Sequence, residues 1–264
     1  MTRNGIPALI FHVLVMAFML APLLIVCLVA FTPENTLSIP TTSFSLRWFA
    51  EVFRHADFMQ SFWNSLVLAF LAATISVGLA VPVGLALTRF QFSGRAFLNG
   101  LFLSPLIVPH LVLGVAMLQL FSLIGATGSF WWLVGSHVVV VTPYALRLIL
   151  AALVGSDPSI EHAAQSLGAS DFTVFRRITL PLMLPGLSGG WLLSFINSFD
   201  ELTMSVFVTA PSTVTLPVRM YMYATESIDP MMASVSALVI AVTAAAMLLL
   251  DRIYGLDRVL VGQR

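Results

Sequence analysis

Apolar residues run in long stretches along most of this chain, and polar residues gather into short segments between them. Six stretches, 8–31, 62–87, 96–121, 129–154, 182–207 and 232–250, have the length and character of a membrane crossing. A spanning helix needs about 20 apolar residues to cross about 30 Å of hydrocarbon. Barrel strands are shorter and alternate in polarity, so unbroken runs predict helices. The pattern predicts an all-α membrane protein of six transmembrane helices, a single domain over 1–264 with no internal repeat. The first stretch follows Arg3 and exceeds the apolar core of about 7–15 residues that a signal peptide carries, so it reads as an uncleaved span.

Arginine placement orients the spans. With the N-terminus inside, the inner segments hold Arg3, Arg89, Arg95, Arg147, Arg176, Arg177, Arg252, Arg258 and Arg264, and the outer segments hold Arg47, Arg54 and Arg219. Both termini and the 155–181 loop are then cytoplasmic. In the outer segment 32–61, Leu46, Phe49 and Phe53 fall near one helical face beside Trp48, which predicts a short interfacial helix. Pro105 and Pro109 predict a kinked third span, and Gly114 allows close packing there. Arg147 is expected to snorkel towards the inner interface.

Composition narrows the function. Of 264 residues, 59% are hydrophobic and 9% charged, with a mean hydropathy of +0.98. A soluble domain carries about 25% charged residues, so lipid is the main solvent here. A net charge of zero argues against nucleic acid as a partner. Cys27, the only cysteine, excludes an intrachain disulfide. All basic residues are arginine. Without lysine there is no phosphate-binding G-x-x-x-x-G-K-[ST] loop, so any ATP is bound by another chain. Neither G-x-S-x-G nor H-E-x-x-H occurs, which argues against an intramembrane enzyme.

The most informative segment is the polar loop 155–181. Ser156 or Asp157 can cap a helix opened by Pro158, with Glu161 in its first turn. Ile160, Ala163, Ala164 and Leu167 share one face, and Gly168 suits a left-handed stop. Ser170 can cap a second short helix bearing Phe172, Phe175 and Ile178, after which Pro181 and Pro185 open the fifth span. The result is a compact knob of two helices meeting at a glycine.

The register A-A-x3-G-x9-I-x-L-P, carried by Ala163, Ala164, Gly168, Ile178, Leu180 and Pro181, resembles the EAA loop of bacterial type I ABC importer permeases. The S-L-R-W-F stretch, the P-L-I-V-P segment of the third span and the acids of the fifth resemble the spermidine/putrescine (polyamine)-type branch. This resemblance implies a MetI-like permease bundle in the bacterial inner (plasma) membrane, forming half of a translocation pathway. It implies a cytoplasmic ABC ATPase dimer that binds ATP and Mg, a second related permease, and a periplasmic or extracellular substrate-binding protein. It places Glu161, His162, Ala163, Ala164, Gly168, Ala169 and Phe175 in the ATPase-coupling loop. No cofactor is expected in this chain. One departure stands out: His162 occupies the position of the motif glutamate, and Glu161 just precedes it. The backbone geometry should survive, while any ion pair of the usual glutamate is in doubt.

Asp200 and Glu201 are expected past the midpoint of the fifth span, with Ser194 and Asn197 about a turn earlier. A carboxylate at the bilayer centre costs about 2.5–3.5 kcal/mol on insertion scales, so both acids need a cavity, a partner or the bundle interior. Asp200, Glu201 and Asn197 are thus candidates for a cation-attracting translocation path, against a structural alternative of an ion pair or a helix-break cap. His12, His110 and His137 lie in separate spans and are expected to form interior hydrogen bonds rather than a metal site. The expected function is ATP-driven import of a polyamine or related amine-bearing solute. The alternative is a proton-coupled secondary transporter of a small organic cation, although the two-half symmetry common in such folds is not visible.

Overall fold

The computed structural model describes residues 5–40 and 43–254, and every regular element among them is helical. Arg3, Arg258 and Arg264, which enter the orientation argument, lie outside the described residues. Three helices follow the hydropathy pattern closely: α1 (Ile6–Val29), α3 (Ala56–Arg89) and α6 (Phe130–Val154). The short helix expected near Trp48 is α2 (Arg47–Arg54).

The third span is not one kinked helix. It is α4 (Arg95–Leu103), a 3₁₀ turn over Ser104–Leu106 and α5 (His110–Leu123), with a bend of 101° between the two helical segments. Pro105 and Pro109 each lack an N–H, and each ring displaces the carbonyl four residues earlier. Two such positions four apart break the ladder rather than bend it. Ser104 satisfies part of the opened backbone: its carbonyl accepts from the N–H of Ile107 at 2.9 Å.

The fifth span also differs from its expected limits of 182–207. The second loop helix, α8 (Asp171–Val174), does not stop before it. It passes through a π-helical turn, Phe175–Thr179, into α9 (Leu180–Phe199), giving 29 continuous residues. Pro181 and Pro185 sit in the first two turns of α9, so their missing N–H groups interrupt only the ladder where the wider turn already hands over. At the other end the helix stops at Phe199 and resumes as α10 (Ser205–Val208). Asp200 and Glu201 therefore lie at a break, not within a helix.

Two further helices complete the described chain: α11 (Leu216–Glu226), which hydropathy did not predict, and α12 (Met231–Tyr254). Among the described residues, four helical stretches are long and apolar enough to cross a membrane, and the bent pair makes a fifth; Met231–Ala245 of α12 is a shorter apolar stretch.

The described residues fall into two compact units. One comprises residues up to Gln60 together with Arg219–Leu249. In it, Val29 and Ala30 pack against Ala233 and Ala237, and the Ser234 hydroxyl donates to the Ala30 carbonyl at 3.1 Å. Trp48 is buried and donates its indole N–H to the Glu34 carbonyl at 2.9 Å. Asp229 caps α12 through the Met231 N–H at 2.9 Å and accepts the Tyr223 hydroxyl at 2.5 Å. Most side chains of α1 are exposed.

The other unit is built on Ser61–Val218. Its principal packing is α6 on α9, with Ala145, Leu146, Ile149, Leu153 and Met183 fully or almost fully buried. Gly186 and Gly190, four residues apart, let the two backbones approach. A Cβ on Gly190 would stand 3.2 Å from the Ala145 carbonyl oxygen, and one on Gly186 only 2.6 Å from that of Leu148. A buried hydroxyl reinforces the seam: Ser194 of α9 donates to the Val141 carbonyl of α6 at 3.2 Å.

Candidate functional site

The loop 155–181 forms the expected knob. Asp157 caps α7 (Pro158–Ser166) by accepting the Ser159 N–H at 2.9 Å. That hydrogen bond holds the Asp157 carboxyl below the ordinary carboxylate value. The cap is therefore intact above the ordinary value and is lost as pH falls through the lowered one. The helix ends in a Schellman motif: Gly168 N–H to the Gln165 carbonyl at 2.9 Å, Ala169 N–H to that of Ala164 at 3.1 Å. Gly168 has φ +90°, as its sequence position predicts. Ser170 then caps α8 through the Thr173 N–H.

Glu161 fixes the knob to the helices at its base. Its carboxylate accepts from Arg89, the last residue of α3, through Nε at 3.0 Å and Nη2 at 2.9 Å. Thr179, in the π-helical turn, donates to the same carboxylate at 3.1 Å, and Arg89 Nη2 also reaches the Ser156 hydroxyl at 2.9 Å. The pair is largely buried, with side-chain exposures of 16% for Arg89 and 14% for Glu161. His162, by contrast, is exposed, and its ring reaches only Gln165 at 3.3 Å. The acid one place before the motif position thus makes the ion pair, and the departure at His162 leaves no buried group unsatisfied.

The outer face of the knob is apolar and uncovered. Leu167 is 89% exposed and Phe172 70%, with Ile160 and Ala163 exposed beside them; Ala164, Ala169 and Phe175 are half-buried. Nothing lies within 4 Å of a Cβ placed on Gly168, so a substitution there meets only backbone strain. Gly168→Val should cost about 1–2 kcal/mol for a left-handed branched residue and should loosen the knob without affecting insertion. The check is amide hydrogen exchange across residues 163–173, which is expected to speed up while the yield of membrane-inserted protein stays unchanged.

The second place is the break after α9. Asp200 is exposed, and its carboxylate has no partner among the described residues. Glu201 is buried: one oxygen accepts the Met204 N–H at 2.7 Å, and the other lies 2.8 Å from His110 Nδ1. His137, fully buried in α6, joins both sides of the break, with Nδ1 2.8 Å from the Ser198 hydroxyl and Nε2 2.9 Å from that of Ser205. Asn197 is half-buried and donates to the Leu193 carbonyl at 2.8 Å within its own helix. Of the three span histidines, His12 is exposed and bonds only the Ala8 carbonyl of its own helix, contrary to expectation. A row of aromatic rings leads along α9 towards Asp200: Trp191 stacks on Phe195 at 5.4 Å, and Phe195 on Phe199 at 6.1 Å. The sequence held a signal for the His110–Glu201 pair, since a carboxylate in lipid needs a donor and the histidines needed partners. Nothing in the spacing joined the two.

Residues 76–256 match the family model of the binding-protein-dependent transport system inner membrane component, a range that contains the knob, the α6–α9 seam and the break. The chain belongs to this family. It is accordingly a multi-pass inner-membrane permease. This permease is 31% identical over 220 residues to the spermidine/putrescine transport system permease protein PotC of Escherichia coli K12, covering 83% of each chain. It is 32% identical over 234 residues to the putrescine transport system permease protein PotI of the same organism, covering 84% of this chain and 82% of that one. Its fold is that of ABC transporter membrane chains. A crystal structure of a bacterial alginate ABC transporter, in complex with an alginate pentasaccharide-bound periplasmic protein, contains a chain that matches with a TM-score of 0.73 at 16% identity, covering 94% of each.

Proposed function

We propose that this permease forms half of the pathway of an ATP-driven importer for a polyamine or related amine-bearing solute, crossing the membrane six times with both termini in the cytoplasm. The observation that carries the reading is the knob. An apolar face is held in the open on two capped helices, and a buried ion pair ties it to the ends of two long helices. A face of this kind suits a soluble partner, and a fixed base suits transmission of force. The partner in this reading is an ABC ATPase dimer, which binds ATP and Mg. A second, related permease completes the pathway and a soluble binding protein delivers the solute. The arginine bias supports a cytoplasmic knob.

Two features support the substrate class. The two relatives described above, which match over more than four fifths of the chain, are named as permeases for spermidine/putrescine and for putrescine. Asp200, a carboxylate without a cation among the described residues, stands at the head of the aromatic row. A cationic amine suits such a group, whereas a carboxylated or phosphorylated solute would be repelled.

The complex should take up labelled spermidine or putrescine only when its ATPase and binding protein are present. Uptake without the ATPase, driven by a proton gradient, would refute the assignment. Asp200→Asn should raise the KM for uptake about tenfold or more, the effect of losing one interaction of about 1.5–3 kcal/mol with a charged group. Assembly should be unchanged, as judged by co-purification of the ATPase. An unaltered KM would remove Asp200 from the path.

A further inference from the structure

The break after α9 and the break before α5 are fastened to each other. His110 is the first residue of α5, immediately after the 101° bend, and its Nδ1 lies 2.8 Å from Glu201. The second oxygen of Glu201 turns inward to accept the Met204 N–H at 2.7 Å. One turn along α5, Gly114 presses on the same segment: a Cβ there would stand 3.0 Å from Met204 Cα and 3.1 Å from its carbonyl oxygen. Met204 itself is completely buried. Behind the break, His137 bridges Ser198 and Ser205, so the segment 200–204 is held from two neighbouring helices at once.

We propose that Glu201 and His110 form a positioning clamp that makes the two broken spans move as one element and presents Asp200 to the solute. Both oxygens of Glu201 are occupied and the side chain is only 7% exposed, which suits a structural tie rather than a solute ligand. Asp200, one residue earlier, points out of the packed unit and is left for the solute. Adjacent carboxylates thereby divide two tasks, one holding the elbow and one facing the path. The inference rests on the reading of Asp200 as a path residue, but the clamp has a signature of its own. With the clamp broken, α5 and the break after α9 can move separately, and the cycle loses its dependence on solute.

The test uses the whole complex in vesicles, with its ATPase, companion permease and binding protein, and two readouts: ATP hydrolysis without solute, and uptake of labelled spermidine. His110→Ala and Glu201→Ala should each raise solute-free hydrolysis at least threefold and lower maximal uptake about tenfold, with KM within twofold of wild type. The double variant should be no worse than either single one, since both remove the same tie. Glu201→Gln, whose amide keeps an acceptor for Met204 and a donor for His110, should restore both readouts to within about twofold. If Glu201→Ala fails to assemble, His110→Ala, whose ring is partly exposed, carries the same measurement. A tenfold rise in KM for Glu201→Gln would make Glu201 a solute ligand and overturn the clamp, as would wild-type hydrolysis and uptake in His110→Ala. Absence of spermidine uptake by the wild-type complex would remove the polyamine reading alone, and the hydrolysis arm would still decide the clamp.

Discussion

Glu161→Ala is expected to abolish uptake and to lower the thermal midpoint of the purified complex by several degrees. The substitution leaves Arg89 at the foot of α3 with only two neutral acceptors among the described residues, the Ser156 hydroxyl at 2.9 Å and the Leu153 carbonyl at 3.5 Å. Removing one member of a buried pair costs about 3–5 kcal/mol because the other charge stays desolvated. The low end applies here, since the foot of the helix lies near water and the pair keeps some exposure. The loss falls on one function in particular. Glu161 also accepts from Thr179 at 3.1 Å, so its carboxylate is where α3, α7 and the π-helical turn meet. Without it the knob still folds on its own caps, but it loses its tie to the long helices through which the proposed coupling would act. Glu161→Gln retains the size and a single acceptor and should sit between the two. Arg89→Ala should reproduce the alanine effect, and the double variant should be less damaging than the sum. Wild-type uptake in Glu161→Ala would remove this ion pair from the proposed coupling.

Gly186→Leu should prevent assembly altogether. A Cβ at this position stands 2.6 Å from both the Leu148 carbonyl oxygen and the Ala152 Cβ, two groups of α6 that cannot turn aside. Even Gly186→Ala overpacks the seam, with a penalty of about 1–3 kcal/mol. Leucine forces α6 and α9 apart and uncovers the interior around Ala145, Ile149 and Met183. Gly100 in α4 is the control, because nothing lies within 4 Å of a Cβ there and Gly100→Ala should be neutral or slightly stabilising. The measurement is the yield of monodisperse complex in detergent. Full yield from Gly186→Leu would mean that the two helices are not packed as closely as described.

Hydropathy and punctuation made much of this architecture legible in advance. Apolar runs gave α1, α3 and α6 to within a few residues, apart from an early start for α3. The caps at Asp157 and Ser170 and the left-handed Gly168 were readable because each depends on local chemistry alone. The breaks were not. The pair Pro105 and Pro109 signals a disturbance, but whether a span tilts or folds back by 101° depends on what packs behind it. The stop at Phe199 has no proline or glycine to announce it. It depends on Glu201, His110 and His137, which meet only in three dimensions. For the same reason Glu161 was placed on the loop but its partner, 72 residues away, was not. Burial separates Glu201 from Asp200, and no sequence pattern distinguishes two adjacent acids in that way.

The unbroken helical run from Asp171 to Phe199 has a further consequence. At about 1.5 Å per residue it is a shaft about 43 Å long. One end lies in the knob and the other carries the elbow with Asp200. In the proposed coupling, a helix continuous over this length would carry a displacement of the knob directly to the elbow. Its places of give are the wide turn at Phe175–Thr179, next to the carboxylate that anchors the foot, and Pro181 and Pro185 just beyond it, so any lost motion would arise there first.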